Sequence, residues 1–71
     1  NGKTVADDLK RIAGIGPKLE TQLNEQGIFL FHQLAELTDA QVDELDARLG
    51  TRGRIRRDDW VTQAKRLLEA A

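Results

Sequence analysis

Apolar residues recur along this chain at helical spacing, in short bursts separated by glycine, proline or polar runs. Val5, Leu9 and Ile12 fall three or four apart around Asp7 and Asp8, which predicts a first helix ending just before Gly14. Pro17 then opens a second helix over residues 17–26. A proline at the first helical position has its φ preset and gives up only an amide that would be unpaired anyway. Leu19 and Leu23 share one face of this helix, and Gly27 stands where a left-handed residue ends it, with Ile28 as its apolar lock. Residues 29–36 read as a short third helix with Phe31, Leu34 and Leu37 inward. Thr38 and Gln41 make a capping box for the fourth, which carries Ala40, Val42, Leu45 and Leu49 and ends at Gly50. Residues 51–57 read as a polar loop. Asp58 or Asp59 caps a fifth helix whose apolar stripe is Trp60, Val61, Ala64, Leu67 and Leu68. No β-type alternation competes, so the expected class is all-α, with five short helices.

The connection between the first two helices is Gly14-Ile15-Gly16-Pro17-Lys18. Two glycines flanking one apolar residue let the backbone take positive φ and come close to a ligand, while Ile15 anchors the turn inward. The first amides of the helix that follows have no intrahelical partner, and beside Lys18 they form an end that attracts anions. A tight interhelical turn with a merely solvated Lys18 needs the same residues, and both readings stand.

Leu9, Ile12, Gly14, Ile15, Gly16, Leu19 and Leu23 fill the places of two apolar residues, a Gly-apolar-Gly turn and a second helix. This pattern resembles the helix-hairpin-helix motif. Residues 8–20 and 53–61 are, more closely, similar to a small helix-hairpin-helix domain appended to bacterial proteins. Those include some NADH-quinone oxidoreductase subunits and a large-subunit ribosomal protein. The resemblance spans Val5 to Leu68. It implies a SAM-domain-like bundle in which helices one and two pair with helices four and five across helix three. It also implies sequence-independent contact with nucleic-acid backbone. Hairpin carbonyls in such domains can hold a monovalent cation, which nothing in this chain requires. The second turn, residues 49–55, has two glycines without the one-residue spacing, so the second hairpin is expected to be degenerate. That departs from the paired motifs used for two-sided duplex gripping.

Composition adjusts this picture. At 71 residues, 39% apolar and 32% charged, the chain suits one globular domain near the lower size limit for a single core. The expected division is a frayed tail at residues 1–4 and one domain over 5–71. With no cysteine there are neither disulfides nor thiolate metal sites. The absence of an initial methionine, a signal segment or a membrane-length apolar run leads to the expectation of a cytoplasmic, monomeric domain excised from a larger protein.

A net charge of −1 argues against a strongly basic nucleic-acid binder, since Lys and Arg contacts supply most non-specific affinity. The distribution softens the objection. Residues 33–50 carry one basic and five acidic side chains, whereas residues 51–71 carry six basic and three acidic. The candidate nucleic-acid-binding residues are Gly14, Ile15, Gly16, Lys18 and Arg11, with Arg52, Arg54 and Arg56 as a second contact. The arginine segment also suits an interdomain salt-bridge surface or a soluble loop, in which Arg57 pairs with Asp58 and Ile55 packs inward.

Other residues fit plainer roles. Lys10 and Arg11 are screened by Asp7 and Asp8. Trp60, a possible stacking platform for a base, is expected in the core. His32 has no second imidazole or cysteine with which to build a metal or nucleophilic site. The pairs Asp7-Asp8 and Asp58-Asp59 suit helix N-termini better than magnesium, because adjacent helical residues diverge. The expectation is therefore non-enzymatic, with no metal and no cofactor. Two functions remain: an accessory module holding DNA or RNA backbone weakly through residues 14–18, or a packing module against a neighbouring domain or subunit.

Overall fold

The computed structural model describes residues 6–70, and all regular structure among them is helical. The expected tail and Val5 lie outside those residues. A 3₁₀ turn at Leu9–Arg11 leads to α1 (Pro17–Glu25), α2 (Phe31–Ala35), α3 (Asp39–Leu49), α4 (Arg54–Arg57) and α5 (Trp60–Ala70).

The first predicted helix is reduced to that single 3₁₀ turn. Asp8 is held extended, at φ −81° and ψ 92°, with its carboxylate accepting from the Lys10 amide at 3.2 Å. Asp7 is committed elsewhere: its amide donates to the Phe29 carbonyl at 2.9 Å, and its carboxylate accepts from the Phe31 amide at 2.8 Å. These bonds hold the chain out of helix before Leu9. Leu9 and Ile12 nevertheless share the inner face, because a 3₁₀ turn also aligns residues three apart.

α2 begins at Phe31 rather than Phe29, for a related reason. Gln33 Oε1 accepts from the Phe29 and Leu30 amides at 2.7 and 2.9 Å, while Asp7 caps Phe31 from another part of the chain. The predicted caps of α3 are present. Thr38 and Gln41 exchange side-chain bonds of 3.2 and 2.9 Å, and Gly50 closes the helix in the left-handed region at φ +70°. Beyond it, residues 54–57 form a turn of helix instead of loop and bury Ile55. The two hairpin-like pairs are therefore the 3₁₀ turn with α1 and α3 with α4. α2 connects them, and α5 packs most extensively on α2. Neither Asp58 nor Asp59 caps α5 through its carboxylate among the described residues. Asp59 instead takes a φ of +53°, and its carbonyl accepts from the Gln63 amide at 3.0 Å.

Every element contributes to one core, formed by Leu9, Ile12, Ile15, Leu23, Phe31, Leu34, Val42, Leu45, Leu49, Ile55, Trp60 and Ala64. Ala40 and Leu68, expected inside, are exposed. Trp60 is completely buried, and its Nε1 has no hydrogen-bond partner among the described residues. Such an orphaned donor costs about 1–3 kcal/mol. The large apolar area the ring removes from water outweighs that cost.

The hairpin is tied to this core by one side chain. Gln63 Oε1 accepts from the Ala13 amide at 2.9 Å, while its Nε2 donates to the Ala13 carbonyl at 3.2 Å and the Asp58 carbonyl at 2.6 Å. Trp60→Ala is expected to remove about 3–5 kcal/mol, a large share of the roughly 4–10 kcal/mol available to a domain this size. Gln63→Ala, which loosens the hairpin without opening the core, is expected to cost about 1–2 kcal/mol. Urea denaturation followed by circular dichroism measures both.

Candidate nucleic-acid interface

The hairpin begins with Gly14 at φ +102°, a region that L side chains rarely adopt. A Cβ there would overlap the Asp58 carboxylate and come within 3.0 Å of Trp60 Nε1. Ile15 is buried, so its side chain anchors the turn and only its backbone can meet a ligand. Gly16 departs from expectation. It is extended, at φ −98° and ψ −177°, a conformation open to any residue, and a Cβ there would meet nothing within 4 Å. Gly14 is thus required by the fold, whereas Gly16 simply leaves open space in front of α1. Helix bonding in α1 starts with the Glu20 amide donating to the Gly16 carbonyl at 2.9 Å. The amides of Gly16, Lys18 and Leu19 have no protein partner among the described residues.

The cations around the hairpin divide sharply. Lys10 is held by Asp8 at 3.0 Å and Glu20 at 3.3 Å, while the other Glu20 oxygen accepts from the Leu9 amide at 3.0 Å. The Lys10 hydrogen bond draws the Asp8 carboxyl below its ordinary value, and the Asp8 carboxylate raises the Lys10 ammonium. Stabilisation from Asp8 is therefore complete above the ordinary carboxylate range and is lost as pH falls through the lowered value. That from Lys10 is present at neutral pH and is lost only as pH rises through the raised value. Arg11 is away from the hairpin, in a groove with Asp7, Phe31, Leu67 and Leu68, and does not join the predicted site.

Of the second predicted contact, Arg52 and Arg54 line the same cleft as Lys18, a space of about 490 Å³ between α1 and the α3–α4 turn. Arg57 lines it too, and its Nη2 donates to the Arg52 carbonyl at 3.5 Å. Among the described residues, no carboxylate lies within ion-pair distance of these four cations. Arg56 does not line this cleft. It points to α3, where Nη1 meets Asp43 at 2.8 Å and Nη2 meets Asp39 at 3.8 Å. Helix formation over 54–57 explains the split, since Arg54 and Arg57 are three apart and share a face while Arg56 is turned away. The expected pairing of Arg57 with Asp58 is not made, since Asp58 lies against Gly14, and exposed His32 meets Glu36 at 3.0 Å.

Residues 9–68 match the RS2/RL21/YNQ2 HHH domain. The chain belongs to that family. The match spans the hairpin and the four cleft cations, and it bears out the helix-hairpin-helix resemblance. The HHH domain is 48% identical over 62 residues to large ribosomal subunit protein bL21 of Roseobacter denitrificans, covering 87% of this chain and 29% of that protein. It is 56% identical over 63 residues to an uncharacterized 22.9 kDa protein in the nqo2 3′ region of Paracoccus denitrificans, covering 87% and 29%. It is 43% identical over 65 residues to small ribosomal subunit protein uS2 of a Methylobacterium species, covering 92% and 19%. The chain therefore spans less than a third of the length of these relatives. No solved structure matches it.

The two hairpin glycines are expected to respond differently to alanine. Gly14→Ala combines the left-handed strain of about 1–2 kcal/mol with the overlap at Asp58, for a loss above about 2 kcal/mol, whereas Gly16→Ala stays within about 0.5 kcal/mol of wild type. Thermal unfolding of the two variants measures the difference. Arg56→Gln, which breaks exposed pairs, is expected to cost under about 1 kcal/mol.

Proposed function

We propose that this HHH domain is a non-enzymatic accessory module that holds nucleic-acid backbone weakly, and without regard to base sequence, through the Gly14–Lys18 hairpin. The observation that carries this reading is the state of the hairpin's outer side. Among the described residues, Lys18 has no carboxylate partner, the first amides of α1 are unbonded, and the Gly16 backbone is unobstructed. Backbone amides and a cation recognise phosphate without reading bases. Ribosomal names among the relatives support RNA as the backbone concerned. Nothing in the site calls for a cofactor, and no group of three or more His, Cys, Asp or Glu residues suited to a metal exists among the described residues. None of the described helices is long and apolar enough to cross a membrane. The domain, comprising residues 5–71, acts as a monomer in the cytoplasm, attached to or beside a larger protein.

A packing role against a neighbouring domain or subunit is the second reading. It is favoured by the Asp58 carboxylate against Gly14, which opposes phosphate at that end of the turn, and by the internal pairing of Lys10 and Arg56. Fluorescence anisotropy with labelled duplex at low salt separates the two. Micromolar binding that Lys18→Glu abolishes is the expected result. An absence of binding at high-micromolar protein, or binding indifferent to Lys18→Glu, leaves the packing role in its place.

A further inference from the structure

We infer that a groove between α3, α4 and α5 is a docking site for a basic segment of a partner protein, one that carries an aliphatic side chain among its cations. The inference is independent of the nucleic-acid reading, because it uses no residue of the hairpin or of the cationic cleft.

α4 divides the surface. Arg54 and Arg57 face the cationic cleft, whereas Arg56 lines a second groove, whose floor is Leu37, Val42, Ile55 and Val61. Val42 and Ile55 belong to the core, but Leu37 and Val61 are only half-buried, so apolar surface remains open there. The rim is acidic. Asp39 at the start of α3 and Asp59 before α5 both line the groove, and Arg56 Nη1 holds Asp43 beside it at 2.8 Å. Three carboxylates against one guanidinium leave this rim at −2. Their neutralisation is also uneven. The short contact of Arg56 goes to Asp43, while the Asp39 carboxylate is 3.8 Å away with its side chain fully exposed. Asp59, whose backbone ends α4 at a φ of +53°, has no cationic partner among the described residues.

These features select the occupant. An apolar floor within a charged rim is the arrangement of a protein interface. The groove has a volume of about 250 Å³, below the roughly 300–1,000 Å³ usual for small-molecule sites, so it suits a side chain of a larger partner better than a free metabolite. Its negative rim repels phosphate and attracts Lys and Arg, which disfavours nucleic acid and favours a basic polypeptide. A second copy of this chain is a poor match. Its four unpaired cations line a cleft of their own, and two concave surfaces do not interdigitate.

The test is an NMR titration of amide shifts in the 71-residue chain with the synthetic peptide Gly-Lys-Arg-Leu-Arg-Lys-Gly. Shifts are expected at Leu37, Val42, Val61 and Thr62, which line the groove, and not at Lys18. Asp39→Asn with Asp59→Asn is expected to weaken binding by about two- to fivefold per carboxylate, the range of exposed ion pairs. Asparagine accepts the left-handed backbone of residue 59, and circular dichroism establishes that each variant is folded. Replacing the peptide's leucine by glycine is expected to weaken binding about tenfold. Glu25→Gln with Glu69→Gln, acids outside the groove, is expected to leave binding unchanged, as is Lys18→Gln, so that this site and the hairpin stand or fall separately. Shifts spread over the chain and reduced equally by the Glu25/Glu69 pair overturn the groove. Equal binding of the leucine and glycine peptides overturns it as well, since contact is then charge alone. Self-association in analytical ultracentrifugation that the Asp39/Asp59 variant abolishes overturns the partner assignment in favour of a second copy.

Discussion

The fit of the Trp60 indole beneath Gly14 is the constraint on which the remaining arrangement depends. The ring is completely buried, at the start of α5, and Gly14 leaves it and the Asp58 carboxylate the space a side chain would fill. Three residues further along α5, Gln63 holds the Ala13 backbone by both its amide and its carbonyl. The hairpin is thus positioned from the opposite end of the chain. Its outward face inherits the rigidity of a packed core, which is what a recognition surface built on backbone groups requires. The domain has little stability to spare, and the same contacts serve fold and site together.

Net charge is a poor guide to such a surface. The chain has nearly equal numbers of acids and bases, but the structure sorts them by position. Lys10, Arg48 and Arg56 are neutralised within the fold, whereas Lys18, Arg52, Arg54 and Arg57 are gathered on one cleft. The carboxylate of Asp58 lies against Gly14 and would oppose an anion at that end of the turn.

Much of the fold was legible from spacing and punctuation. The Pro17 start, the Thr38–Gln41 box, the left-handed Gly27 and Gly50 and the buried Trp60 all follow from rules that act within a few residues. What escaped was decided by partners distant in sequence. The first helix is withheld by bonds from Asp7 to residues 29 and 31, and the helical turn over Arg54–Arg57 forms because Ile55 finds the core. That last difference also governs the site. Read as a loop, residues 51–57 give no reason to choose among four arginines, but wound into a helix they separate Arg54 and Arg57 from Arg56. Gln63 carried no local signal at all, since its role is defined by the backbone of Ala13, fifty positions earlier.

The Asp7 contacts have a bearing on where the domain begins. The family match opens at Leu9, yet two residues before it a backbone amide bonds Phe29 and a carboxylate caps the first residue of α2. A protein trimmed to the matched span would leave the connector helix, the one α5 packs against, without its N-terminal partner. The hydrogen-bonded structure is therefore wider than the region by which its kinship is recognised, and Asp7 belongs to it.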